Sequence, residues 1–176
     1  LHSAAVGADS VSVTGNAAVD GELDLNTVFT TDLTLGDQFT LLTASAVSGT
    51  FDTVDGVNLG TIGGFNAAAA VTYTADSVDL PLAVAADANL DLAVDTSDLA
   101  ILAGAFGSTG QTWASADFNG DGAVDTADLA ILAGNFGVNA SPVGARTTAA
   151  VPEPGTLALL AIGGLAVATR RRKHAA

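Results

Sequence analysis

The sequence predicts a β-rich region, then a small pair of α-helices and one C-terminal transmembrane helix. Three observations lead to this fold class. Apolar and polar residues alternate with period two up to about residue 85. A 30-residue internal repeat with helical periodicity follows, and an uncharged apolar run lies near the end of the chain.

Shifts in composition divide the chain. We assign residues 1–85 to the β-rich region, 86–138 to the helical module and 139–150 to a small-residue linker. Residues 151–174 form a separate tail, with the membrane helix over 156–169. Because the chain begins at Leu1 and contains no methionine, we expect the β-rich region to be incomplete at its N-terminus.

Alternating segments in the β-rich region, such as residues 11–14, 33–35 and 78–80, are typical of half-buried strands. Turn pairs such as Asp20-Gly21 separate them, so we expect six to eight short strands and no helix. Residues 36–51 resemble the closing rungs of an autotransporter-type β-solenoid. A small β-sandwich is the alternative architecture, and either would serve as a stalk or a surface-contacting module.

The repeat predicts two short helices that pack on one another. Each copy places three large apolar residues at i, i+3 and i+7, which lie on one helical face. A glycine after each copy marks the C-terminal stop. The residues are Leu99, Leu102, Phe106 and Gly107 in the first copy, and Leu129, Leu132, Phe136 and Gly137 in the second.

The charge is strongly negative, with 19 acidic residues against 5 Lys and Arg, a net −14. Arg146 is the first basic residue along the chain. Such a surface has no cations to displace phosphate counterions, so we expect no nucleic-acid partner. Carboxylates without basic partners instead suggest a bound metal ion.

A twelve-residue loop precedes each helix, with oxygen-bearing side chains at positions 1, 3, 5, 9 and 12. With a backbone carbonyl at position 7, this is the spacing of an EF-hand calcium loop. We therefore expect two Ca²⁺ ions. Gly122 at position 6 of the second loop suits a sharp turn better than Leu92 in the first, so the second site should be tighter. The predicted ligands are Asp87, Asn89, Asp91, Ala93, Asp95 and Asp98 in the first loop, and Asp117, Asn119, Asp121, Ala123, Asp125 and Asp128 in the second.

The two loops, each with a Leu-rich helix, resemble a type I dockerin module over about residues 86–138. The resemblance implies calcium-dependent folding and docking onto a cohesin-like protein, often in polysaccharide-degrading assemblies. It also implies recognition residues at loop positions 10 and 11, which are Thr96, Ser97, Thr126 and Ala127 here. Ala-Gly at 103–104 and 133–134 replaces the Lys or Arg of many members. An intramolecular calcium-stiffened spacer is the alternative interpretation.

The tail has a Pro-Glu-Pro segment, an uncharged apolar run and a basic cluster in that order. The residues are Pro152, Glu153 and Pro154, and then Arg170, Arg171, Arg172 and Lys173. This order resembles the PEP-CTERM sorting signal. The resemblance implies a bacterial envelope protein that is exported, held in the inner membrane and processed by an exosortase to reach the cell surface or the medium. The basic cluster would flank the membrane on its cytoplasmic side.

No catalytic group is expected. The chain has no cysteine, and its two histidines, His2 and His174, lie at the ends. Pairs of carboxylates can hydrolyse glycosides, but pairs such as Asp52 with Asp55 are more typical of solvated turns and strand ends. We therefore expect a non-catalytic exported envelope protein. The alternatives are the C-terminal part of a polysaccharide-degrading enzyme with its catalytic domain upstream, and an adhesin that binds a polysaccharide matrix.

Overall fold

A computed structural model describes residues 10–26 and 33–140. The contacts of the chain divide it into residues 1–141 and 142–176, and all described residues belong to the first unit. The predicted linker beyond Ala140, the Pro-Glu-Pro segment, the membrane helix and the basic cluster lie outside the described residues. Within the described ranges, no helix is long and apolar enough to cross a membrane.

The N-terminal strands form two stacked turns of a parallel coil. The first turn contains β1 (Val11–Ser12), β2 (Asn16–Ala18) and β3 (Glu22–Asp24), and the second contains β4 (Gln38–Thr43), β5 (Ala46–Ser48) and β6 (Thr53–Asp55). Each strand of the first turn pairs in parallel with its equivalent in the second turn, as in Val11 with Leu42 and Glu22 with Thr53. Parallel stacking of successive turns is a solenoid arrangement, so the first of the two predicted architectures fits.

Four further strands close the coil. They are β7 (Asn58–Ile62), β8 (Phe65–Ala69), β9 (Thr72–Tyr73) and β10 (Ser77–Val84). β10 pairs antiparallel with β4, β8 and β9, and β7 pairs with β8. The resulting sheet has the order β1-β4-β10-β8-β7, with β9 beside β10.

The predicted strand at residues 33–35 is wrong. Leu35 and Gly36 form a turn instead, because the Asp37 carboxylate accepts hydrogen bonds from the backbone N–H and the hydroxyl of Thr34, both at 2.9 Å. A side chain that binds nearby backbone in this way competes with strand pairing. β8, by contrast, was not predicted, since its Ala67–Ala69 end is buried without any polar alternation.

The helical module begins directly after β10. Its helices are α1 (Thr96–Ala105) and α2 (Thr126–Asn135), joined through a single 3₁₀ turn at Trp113–Ser115. Gly107 and Gly137 both have positive φ, +81° and +84°, just after the helices, which confirms the predicted stop signals. The two predicted helices therefore form where the repeat places them.

Only part of the predicted helix face is buried. Leu102 and Leu132 are each 2% exposed and belong to one hydrophobic cluster, which confirms the centre of the face. The prediction is wrong for the first and last residues of each predicted face, which stay exposed. The partly buried Ile101 and Ile131 pack against the cluster instead. The exposed residues of the two predicted helix faces are Leu99, Phe106, Leu129 and Phe136.

That cluster also joins the module to the β-rich region. Ala68, Ala83 and Val84 from β8 and β10 lie in it together with Leu102 and Leu132. The module and the sheet thus share one core within the described residues.

Candidate functional site: two carboxylate loops

Each helix is preceded by a loop whose first and twelfth residues are buried aspartates. Asp87 and Asp98 are 0% exposed in the first loop; Asp117 and Asp128 are 5% and 0% exposed in the second. Asp98 and Asp128 lie in the first helical turn, as the loop spacing predicts. Four carboxylates are therefore removed from water, two in each loop.

Backbone amides hold the first carboxylate of each loop in place. Asp87 Oδ1 and Oδ2 accept hydrogen bonds from the N–H groups of Asp91 and Leu92 at 3.1 and 2.8 Å. Asp117 accepts from Gly120 and Gly122 at 2.9 and 3.0 Å. The loop backbone therefore curls round this side chain in both copies.

The twelfth carboxylate closes the loop onto its helix. Asp98 Oδ1 accepts from the Ala88 N–H at 2.9 Å, and its Oδ2 accepts from the Asp95 N–H at 2.9 Å. Asp95 in turn is the N-cap, and its side chain accepts from the Ser97 N–H at 2.7 Å. It also accepts from the backbone N–H of Asp98, which completes a capping box between the two residues. The second loop repeats these bonds through Asp128 and Asp125.

The middle side chains follow the same pattern in both loops. Asn89 Oδ1 accepts from the Asp91 N–H at 3.1 Å, and Asp91 Oδ1 accepts from the Ala93 N–H at 2.9 Å. Asn119 and Asp121 make the equivalent bonds at 3.1 and 2.9 Å. The oxygens at positions 1, 3, 5, 9 and 12 thus belong to one hydrogen-bonded turn in each copy.

The two loops are also crossed with each other's helices. In the first loop Val94 is fully buried, and its N–H donates to the carbonyl of Val138 after α2. In the second loop Val124 is fully buried, and its N–H donates to the carbonyl of Ser108 after α1. Each loop is therefore fixed by the segment that follows the other helix, and neither half is complete alone.

Within residues 10–26 and 33–140, no basic side chain is present to pair with the buried carboxylates. Residues 1–145 contain no Lys or Arg, so every cation for these groups must come from outside this part of the chain. Burial raises the pKa of Asp87 and of Asp117 to about 6, because desolvation penalises the charged form more than the backbone N–H donors favour it. Repulsion from the nearby Asp98 and Asp128 carboxylates contributes a smaller part of the same rise in pKa.

The donor set fits a hard cation. All six predicted donors in each loop are oxygens from Asp, Asn and a backbone carbonyl, the ligands that Ca²⁺ accepts. Among the described residues, no three His, Asp or Glu side chains by themselves form a metal-holding group.

Positions 4 and 6 distinguish the loops. Gly120 and Gly122 have φ of +78° and +79°, and Leu90 and Leu92 at the same positions have φ of +61° and +66°. A left-handed conformation costs a non-glycine residue roughly 1–2 kcal/mol. The first loop thus holds two strained leucines that the second loop avoids.

The predicted recognition residues are accessible. Thr96, Ser97, Thr126 and Ala127 are all exposed in the first turns of α1 and α2. The exposed aromatic side chains of Phe106 and Phe136 lie at the opposite ends of the same helices.

Trp113 is buried in the helical module and contacts the first loop. Its side chain is 4% exposed, and its ring meets Phe118 edge-on at 5.3 Å. The indole Nε1–H donates to the carbonyl oxygen of Asp87 at 2.7 Å. This bond ties the first residue of one loop to the segment that leads into the other.

Sequence reasoning did not find the contact between the loops and the β-rich region. Gly120 accepts a hydrogen bond from the Val54 N–H at 2.7 Å. The sequence did contain a signal of this contact. Gly120 at position 4 is not required by the ligand spacing, so another reason for a glycine there was to be expected.

Family models match two parts of the chain. Residues 85–136 match the family model of the dockerin type I domain, and residues 150–173 match that of the PEP-CTERM protein-sorting motif. No curated protein matches the chain. A solved structure, the type II cohesin-dockerin domain from Bacteroides cellolosolvens, is 36% identical over 33% of this chain and 92% of its own, with a TM-score of 0.30. The chain therefore carries a type I dockerin module followed by a PEP-CTERM sorting motif. Together these matches indicate an exported protein that is associated with the cell envelope.

Proposed function

We propose that this protein is a non-catalytic envelope protein whose dockerin module binds two Ca²⁺ ions and, once folded around them, docks a cohesin-like protein. The observation that carries the proposal is the pair of buried aspartates in each loop, in a stretch of 145 residues without Lys or Arg. A buried carboxylate without a counter-charge is costly, and a divalent cation removes that cost.

The residues of each loop divide the work of holding the ion. The buried aspartates at positions 1 and 12 would supply the charge. The Asn and Asp at positions 3, 5 and 9, which are exposed except for the half-buried Asn119, would close the site toward solvent. When bound, the ion supplies positive charge to the centre of the loop. The N-terminal ends of α1 and α2, which the capping aspartates already stabilise, would then be fixed relative to each other.

Calcium titration of the full chain by calorimetry and circular dichroism tests this proposal. We expect two sites and a gain in helical signal, because the crossed loops fix both helices. Asp117→Asn keeps the size of the side chain but removes its charge, and should abolish one site. Asp76→Asn is the matched control, since Asp76 lies on an exposed turn of the β-rich region, where its carboxylate accepts from the Thr74 hydroxyl at 3.1 Å. Absence of both heat and spectral change in the unmodified chain would contradict the proposal.

The docking surface would be the exposed first turns of α1 and α2. A surface-binding assay against a panel of cohesin domains, in Ca²⁺ and then in excess chelator, tests this part. We expect binding in Ca²⁺ only. Replacement of Thr96 and Ser97 or of Thr126 and Ala127 by Arg should weaken it, since a bulky charge would occupy the contact surface. Calcium-independent binding, or none to any cohesin, would contradict it.

We further propose that the tail anchors the protein in the inner membrane through residues 156–169 until an exosortase processes it near Pro152–Pro154. The family match at residues 150–173 and the basic cluster after the apolar run support this step. A chain truncated after Ala150 should move from the membrane fraction to the soluble fraction on cell fractionation. If the truncated chain still sediments with membranes, the anchor lies elsewhere.

A further inference from the structure

Both calcium loops touch the β-rich region through positions 4 and 6, which carry none of the predicted ligands. In the second loop the contact is made by backbone. The Val54 N–H of β6 donates to Gly120 O at 2.7 Å. A Cβ on Gly120 would lie 2.2 Å from Val54 O, and one on Gly122 would lie 2.4 Å from Asp52 O. Glycine is required here for close approach as well as for positive φ.

In the first loop the equivalent contact is made by side chains. Leu90 packs against the shared hydrophobic cluster. Leu92 lies beside Gly36, since a Cβ added to Gly36 would be 3.8 Å from Leu92 Cδ1. Both leucines line a cavity of about 300 Å³ together with Pro81 and Leu82 of β10. Strained residues persist where surrounding contacts hold them. The two left-handed leucines therefore lie beside the β-rich region.

The far end of the module is tied to the same sheet. Asn66 Nδ2 of β8 donates to Asn135 Oδ1 at the end of α2, at 2.8 Å, and Asn135 is 7% exposed. The Asn66 carbonyl also accepts from the Ala85 N–H where the chain leaves β10. The β-rich region therefore contacts the first loop, the second loop and α2.

We propose that the β-rich region is the resident partner of both calcium loops, so that calcium binding and the packing of this region stabilise each other. The inference rests on the calcium binding proposed above. Coupling between two sites is reciprocal, and typical values change an affinity about 5- to 150-fold. Calcium would thus stiffen the solenoid end as well as the module.

Hydrogen exchange of the full chain with and without Ca²⁺ tests the coupling. The amides of Val54, bonded to Gly120 O, and of Ala69, bonded to Val57 O, report on the β-rich region. The amide of Leu99, bonded to Asp95 O, reports on the module. We expect exchange at all three to slow at least about fivefold in Ca²⁺. Protection of Leu99 alone would overturn the inference, and no protection at any of them would contradict the calcium proposal instead.

A pair of glycine variants tests the contact itself. Gly120→Ala and Gly137→Ala have the same left-handed cost, with φ of +78° and +84°. Only the first meets the β-rich region, because nothing lies within 4 Å of a Cβ at Gly137. We expect Gly120→Ala to weaken calcium affinity at least about fivefold relative to Gly137→Ala. Equal affinities would overturn the inference.

A second pair leaves the module sequence unchanged, in case Gly120→Ala does not fold. Val54→Pro removes the N–H that donates to Gly120, and Val47→Pro removes one that donates to Ala75 O within the β-rich region at 2.8 Å. Both residues lie in the second turn of the coil. We expect only Val54→Pro to weaken calcium affinity, by at least about fivefold. The same affinity in both variants would overturn the inference.

Discussion

At the scale of single residues, the two loops show one hydrogen-bond pattern with different residues at positions 4 and 6. Glycines in the second loop adopt positive φ without strain, while Leu90 and Leu92 adopt it at a cost of roughly 1–2 kcal/mol each. Packing of Leu90 against the shared hydrophobic cluster offsets part of that cost in the first loop. The first loop should therefore be the more easily opened in the absence of calcium.

We predict that Asp121→Ala lowers total calcium affinity more than Asp91→Ala does. The two residues occupy position 5 and make the same bond, to the N–H of Ala123 and of Ala93, at 2.9 Å. The difference should therefore report the intrinsic affinities of the loops, which calorimetry resolves as two steps. A larger loss for Asp91→Ala would show that the leucine loop is the tighter site.

A second prediction concerns the indole of Trp113. Trp113→Phe keeps an aromatic ring against Phe118 but removes the donor to Asp87 O. A buried carbonyl that loses its partner costs about 1–3 kcal/mol, so the melting temperature should fall. Thermal unfolding followed by circular dichroism measures the shift, with Phe118→Leu as the control for ring packing alone. An unchanged melting temperature would show that the bond contributes nothing.

At the scale of elements, the helices follow from the repeat, although the buried arc of each does not. Periodicity places Leu99, Leu102 and Phe106 on one face, but it does not say how much of that face the neighbouring helix covers. In the structure only Leu102 is fully covered, because the segment around Trp113 packs on its side of α1. The positions of the helices could be predicted; the partners of their faces could not.

Leu132→Ala and Leu129→Ala should separate these two kinds of position within α2. Leu132 is 2% exposed, and its truncation should cost about 2–5 kcal/mol through lost burial and a cavity. Leu129 is 38% exposed, so its truncation should cost much less. Denaturant unfolding of the calcium-loaded chain measures both values. Equal losses would mean that α2 packs differently from the structure described.

At the scale of the whole molecule, the sequence predicts the loop ligands more sharply than it predicts the topology around them. Spacing alone leads to the prediction of six ligands in each loop, since a chain that curls round an ion aims alternate side chains at it. The parallel coil was predicted only as one of two architectures, because short strands with Gly and Asn turns fit both. The contact of Gly120 with Val54 joins residues 66 positions apart, and its one trace in the sequence is a glycine at position 4 that the ligand spacing does not require.

Native mass spectrometry of the full chain most directly tests the central claim, that each loop holds one calcium ion. The unmodified chain should carry two Ca²⁺ ions at saturation. Asp87→Asn and Asp117→Asn should each carry one, and the double variant none, because each removes a buried charge from one loop. Asp76→Asn should still carry two. An unmodified chain that binds no calcium, or a double variant that still binds two ions, would contradict the account.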